Sequence, residues 1–213
     1  MEHKHIDSWK NSKEVFLHQL ALNQQELRSA SPPKHWYHFV NSLDSFVESY
    51  PVKRVVDIGC GAGVYSELVR VYFPSILYLG YDYSENALDL ARKTWSHNTK
   101  AEFKLSKYQD VSHSDIKTGD VIVANGLLDI LPNGEEALEH ILSLSCGLLI
   151  LQRINFTSEN SCHETYSAYG VIDTYNYSYN VDVFHKLIKK YGYRYKTERY
   201  TETAKNIVVI KDD

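Results

Sequence analysis

Val55-Val56-Asp57-Ile58-Gly59-Cys60-Gly61-Ala62-Gly63-Val64-Tyr65-Ser66 is the stretch from which the fold can be read. An apolar run ends on three alternate glycines and passes into residues with helical spacing. That is how a buried strand turns tightly into a helix. Glycine lets the backbone approach a ligand closely, and the helix that follows presents unpaired amide protons. At this point of an open α/β sheet ligands bind beyond the strand ends. Two common glycine signatures are excluded. A dinucleotide G-x-G-x-x-G read from Gly59 needs glycine where Val64 stands, and read from Gly61 it needs glycine where Ser66 stands. A phosphate loop needs a closing Gly-Lys-Ser/Thr, which is absent. Asp57, just ahead of the glycines, would repel a pyrophosphate and attract a cationic group.

Outward from this turn the pattern alternates strand and helix. Strands are predicted over 52–58, 76–81, 101–105, 120–124 and 148–154. Helices are predicted over 64–73, 85–95 (opened by Ser84), 134–145 (with Asn133 and Glu136 at capping-box spacing) and 181–191, closed by Gly192. Strands near 193–200 and 206–211 lie too close together for a crossover and should pair antiparallel. The sum is an α/β, Rossmann-like, seven-stranded and mostly parallel sheet with an antiparallel last strand and helices on both faces. Two amphipathic helices, 6–29 and about 34–49, precede it, broken by Ser31-Pro32-Pro33 and ended by Pro51. They form an N-terminal helical cap over 1–50, ahead of a core domain over 51–213. Residues 155–180 have no clear period and read as a tyrosine-rich lid insertion.

The chain's 213 residues include 43% hydrophobic side chains, 27 acidic and 23 basic groups and a net charge of −4. Disordered and fibrous classes are excluded, and an acidic balance makes nucleic acid a poor partner. Cys60, Cys146 and Cys162 make neither a disulfide framework nor a zinc pattern, and no metal site is expected. No apolar window reaches membrane-span length and no secretory leader stands at Met1, so a reduced, cytoplasmic setting is expected.

Asp57-Ile58-Gly59-Cys60-Gly61-Ala62-Gly63, then Gly80-Tyr81-Asp82-Tyr83-Ser84-Glu85-Asn86-Ala87-Leu88, resembles the class I S-adenosylmethionine-dependent methyltransferases. Asp120-Val121-Ile122-Val123-Ala124-Asn125-Gly126-Leu127-Leu128 is similar to that family's fourth strand and its loop, and Gly147–Leu151 to its fifth strand. The resemblance implies methyl transfer from S-adenosylmethionine, with a small-molecule acceptor as the expected substrate. It implies that Gly59, Gly61 and Gly63 wrap the methionine part, with Asp57 near its ammonium group. Asp82 would hold the ribose diol, Tyr83 pack on adenine, and Asn125 face the methionine end. Where the family has an acidic residue for the adenine amine, this chain has Lys107 and Tyr108, with Asp110 three positions on; Tyr108 is assigned to the adenine side. A protein or RNA methyltransferase and a cofactor-binding protein without transfer activity are the alternatives.

For the substrate side the candidates are Tyr37, Arg153, His163 and Tyr169. Arg153 ends the fifth strand, and its fixed fork of donors suits a carboxylate or phosphate. The lid tyrosines 166, 169, 175, 177 and 179 either face the substrate or pack a small core of their own. Cys60 has no paired histidine and is not read as a nucleophile. Asp129 reads as a solvated helix-start residue, and the strand end carrying Asp82 as exposed. No motif specifies the acceptor, a catalytic base or the oligomeric state.

Overall fold

The computed structural model describes His5, residues 7–144 and residues 146–211. In chain order the elements are α1 (Ser8–Asn11), α2 (Lys13–Leu27), α3 (Lys34–Val47), β1 (Arg54–Ile58), α4 (Val64–Tyr72), β2 (Leu77–Asp82), α5 (Glu85–Thr94), β3 (Ala101–Leu105), β4 (Asp120–Asn125), α6 (Gly134–Ser143), β5 (Leu148–Thr157), β6 (Cys162–Ala168), β7 (Ile172–Asn180), α7 (Val181–Lys190), β8 (Tyr193–Arg199) and β9 (Ala204–Lys211). β1, β4 and the first half of β5 are buried on both faces, as expected of central strands covered by helices. β1 pairs in parallel with β2 and β4, β2 with β3, and β4 with β5. All five therefore end at one edge, where the glycine turn lies. β8 and β9 form the expected antiparallel pair, and β9 runs antiparallel along β5.

The sheet has nine strands. The two beyond the expected seven come from residues 155–180, which form a β-hairpin. β6 and β7 pair antiparallel, and β7 joins the extended end of β5 in parallel. Asn155 pairs with Ala204 of β9 and also with Ser178 of β7, so the two strands lie on opposite edges of β5. β7 takes the edge that β4 vacates after Asn125. The expectation of no clear period is wrong for part of this segment: Tyr175-Asn176-Tyr177-Ser178-Tyr179-Asn180 alternates aromatic and polar residues, and its three tyrosines are buried in β7.

Ser12 interrupts the first helical stretch: it caps α2 by accepting from the Val15 amide, leaving α1 as a separate turn. α2 and α3 bury Val15, Phe16, Leu20, Trp36, Phe39 and Leu43 against one face of the sheet and against α5. The second face packs Leu138, Ile141, Tyr179, Phe184 and Ile188 on β1, β4 and β5. The N-terminal segment is thus built into the main cores. Its first turn reaches over the sheet edge: Trp9 donates its indole N–H to Thr174 of β7 at 2.8 Å, and Ser84 donates to the Lys10 carbonyl at 3.0 Å.

Candidate functional site

The glycine turn is held from several sides. The amides of Gly59 and Cys60 donate to the Tyr81 carbonyl, and the Trp95 indole donates to the Ala62 carbonyl at 2.7 Å. Gly59, Gly61 and Gly63 have φ of +79°, +53° and +77°, a region that penalises side chains. At Gly63 a Cβ would also sit 2.6 Å from the Phe103 ring and 3.0 Å from Ala91, so the loop could not lie on β3 and α5.

Asp82 ends β2 beside this turn. Its carboxylate accepts from the Gly61 amide at 2.8 Å and from the Ser84 amide at 2.9 Å, and from the Tyr83 amide as well. It is 6% exposed. The expectation of an exposed strand end is therefore wrong for this residue: the carboxylate organises the two turns that flank it. Burial raises its pKa to about 6 against the three amides, which favour the charged form. Asp57 lies deeper. It is 2% exposed, accepts from the Tyr78 hydroxyl at 2.7 Å, and has a pKa raised to about 7 by burial, with Asp82 adding to the rise. Neither Asp57 nor Gly63 lines the cleft above; both support the turn from below. Cys60 is buried, and burial with the nearby carboxylates pushes its thiol pKa well up, away from nucleophilic character.

Above the strand ends lies a cleft of two adjoining chambers, about 250 and 230 Å³, that share Trp9, Gly59, Asp82, Tyr83, Leu127 and Ile130. Tyr108 and Lys107 line the second chamber, whereas Asp110 does not. Tyr108 also receives a hydrogen bond from Asn133 at 3.3 Å. Asn125 lines the first chamber, and its Oδ1 is buried without a partner, an open acceptor at the end of β4. Gly59, Gly61, Asp82, Tyr83, Tyr108 and Asn125 thus meet around one cleft.

The first chamber continues to Arg153, Tyr166 and Tyr169. A β-bulge in β5 between Leu151 and Ile154 places Arg153 at φ +65°, a strain of about 1–3 kcal/mol for such a residue. Its guanidinium meets Asp129 at 3.2 Å and donates to the Tyr166 hydroxyl. Asp129 is 4% exposed, so it is no solvated helix-start residue. Burial raises its pKa, and Arg153 opposes that rise. Behind this pair, buried Gln152 bonds the Tyr65 hydroxyl and the His35 carbonyl. Burial holds His35 and His38 neutral, each with a pKa lowered to about 4.

Of the substrate-side candidates, Arg153 and Tyr169 reach the cleft. Tyr37 does not: it lies exposed on α3, beside a separate groove with Trp36 and Tyr72. His163 is on the exposed strand β6, with its ring against Tyr175. Among the hairpin tyrosines, 166 and 169 face the cleft, while 175, 177 and 179 are packed inside. Trp9, Phe16 and Gln19 of the N-terminal segment also line the cleft, and sequence reasoning missed them. Amphipathic spacing accounted for Trp9 and Phe16 as the apolar face of a helix and left Gln19 among its polar residues, and nothing local distinguishes an aromatic ring facing the cleft from one facing a helix.

Residues 56–145 match the family model of a methyltransferase domain. Over 101 residues the chain is 34% identical to the trans-aconitate 2-methyltransferase of Variovorax paradoxus (strain S110), a stretch covering 46% of this chain and 38% of that relative. Among solved structures it is similar to human N-acetylserotonin methyltransferase in complex with SAM, with a TM-score of 0.68 at 14% identity over 99% of this chain and 60% of the other. It is also similar to an S-adenosylmethionine-dependent methyltransferase from Clostridium acetobutylicum ATCC 824, with a TM-score of 0.66 at 13% identity over 94% and 100%.

Proposed function

We propose that the chain, whose residues 56–145 match a methyltransferase domain, belongs to the class I, S-adenosylmethionine-dependent family and moves a methyl group from S-adenosylmethionine to a small-molecule acceptor. The observation that carries this reading is the two-chambered cleft with the Asp82 carboxylate lining both halves. A ligand with a nucleoside half and an amino-acid half fits two joined chambers. After three backbone amides the Asp82 carboxylate keeps about one of its roughly four lone-pair sites for a ribose hydroxyl. Tyr83 and Tyr108 offer flat faces for a base, and the open Oδ1 of Asn125 suits an ammonium group. When bound, the cofactor supplies a methyl carbon made electrophilic by positive sulfur, which keeps the bonding pair as the acceptor's lone pair displaces it.

The remaining work is alignment and exclusion of water. Trp9, Phe16, Tyr166 and Tyr169 line the first chamber, and its volume of about 250 Å³ supports a small acceptor over a polymer. A reducing, cytoplasmic setting belongs to the same proposal, supported by the exposed free thiol of Cys162. Among the described residues no helix is long and apolar enough to cross a membrane. Calorimetry with S-adenosylmethionine, its demethylated product and NAD is the direct test. The first two should bind and NAD should not; binding of NAD alone would overturn the cofactor.

A further inference from the structure

The first chamber has a single cationic side chain, Arg153, among the described residues at its wall. Among the described residues lining it, Asp82 and Arg153 are the charged side chains, and Asp82 is committed to the glycine turn and to the chamber's other half. Arg153 is fixed by three independent devices: the bulge that gives it φ +65°, the buried Asp129 at 3.2 Å, and the Tyr166 hydroxyl. Even so, 36% of its side chain stays exposed, and it lines the cleft beside Tyr169, whose hydroxyl bonds Gln19. A guanidinium has five N–H donors in a rigid fork, and Asp129 and Tyr166 do not use them all. Holding an arginine rigidly in a strained backbone conformation at the wall of a small cleft is what recognition of a planar anion requires.

We propose that the methyl acceptor carries a carboxylate, held by Arg153 with the hydroxyls of Tyr166 and Tyr169. This rests on the methyltransferase reading above. A single carboxylate fits better than a phosphate. Asp129 already offsets part of the guanidinium charge, and no second basic side chain among the described residues lines this chamber to balance a dianion. Two phenol hydroxyls complete the hydrogen bonding of a carboxylate without adding charge.

The test is a small-molecule extract separated by ion exchange into anionic, neutral and cationic fractions, each incubated with the protein and methyl-labelled S-adenosylmethionine. Label should enter the anionic fraction. Arg153→Met made together with Asp129→Asn, so that no carboxylate is left buried alone, should lower the initial rate at limiting extract at least about 10-fold, as expected for loss of a charged hydrogen bond. Arg153→Lys should recover part of that loss, and affinity for the demethylated cofactor should stay within about twofold by calorimetry; a fall of about 10-fold or more would assign Arg153 to the cofactor's own carboxylate and overturn the proposal. Label in the neutral or cationic fraction alone overturns the carboxylate while leaving methyl transfer standing, as does an unchanged rate in the double variant. No label in any fraction, with cofactor demonstrably bound, overturns methyl transfer and the carboxylate with it.

Discussion

Asp82 has two tasks at once. Its carboxylate ties Gly61, Tyr83 and Ser84 into one loop system and also lines both chambers. Asp82→Ala should therefore lower cofactor affinity about 10- to 150-fold, the worth of a charge-assisted bond to a ribose hydroxyl. It should also lower the melting temperature of the empty protein, since each stranded buried amide costs about 1–3 kcal/mol. Asp82→Asn keeps one acceptor oxygen and should be milder in both respects. Calorimetry paired with thermal unfolding checks this. An Asp82→Ala protein that binds the cofactor like its parent would sink the ribose assignment.

At the scale of elements, two segments outside the recognised motifs roof the strand ends. α1 reaches the cleft because Ser12 breaks the helix, and its first turn is anchored to both α5 and the hairpin through Lys10–Ser84 and Trp9–Thr174. We propose that this strap and the β6–β7 hairpin act together as a lid, since one hydrogen bond joins them. Trp9 lines both chambers, so cofactor binding should change tryptophan fluorescence, and Trp9→Phe should abolish most of that change. Trp9→Ala should weaken cofactor binding by about 5- to 50-fold, the loss of roughly 1–2 kcal/mol of aromatic contact. Hydrogen exchange in residues 7–12 and 162–180 should slow together on binding. Slowing of one without the other would argue against a joint lid.

For the whole molecule, the buried carboxylates set a pH dependence. In the folded, empty protein Asp57 and Asp82 hold protons up to about pH 7 and 6, against an ordinary value near 3.8. Between those values the folded state binds more protons than the unfolded chain, so this contribution to stability is full below about pH 4 and is lost as pH rises through 6–7. Asp57→Asn removes its share while preserving an acceptor for the Tyr78 hydroxyl. Its melting temperature should exceed the parent's by a few degrees at pH 8 and match it near pH 4. An equal difference at both pH values would rule out titration of Asp57 as the cause. Cofactor affinity should move the other way, rising with pH through about 6 as Asp82 becomes the charged acceptor.

The sequence by itself determined the parallel core and the cofactor side of the cleft. Strand, glycine turn and helix are written in consecutive residues, so Gly59, Gly61 and Asp82 could be placed from local pattern and parallel order, and Tyr83 and Asn125 through the family resemblance. Parallel strands linked by helices all end at one edge, and that rule carries the residues at their tips to one place. Tertiary structure alone decided the rest. Whether the aromatic ring of Trp9 faces the cleft or a helix depends on packing against β7, which is 165 residues away along the chain. The hairpin's tyrosines became three packed residues on one face of β7 and two cleft residues, Tyr166 on β6 and Tyr169 in the turn, once the hairpin had docked on β5. Arg153 was read as a substrate-side candidate and Asp129 as a solvated helix-start residue, and their pairing was not legible, because neither a bulge in β5 nor an ion pair across 24 positions leaves a local pattern. Tyr37 and His163 fell outside the cleft for the same reason: a polar aromatic residue carries no mark of direction until its element has docked.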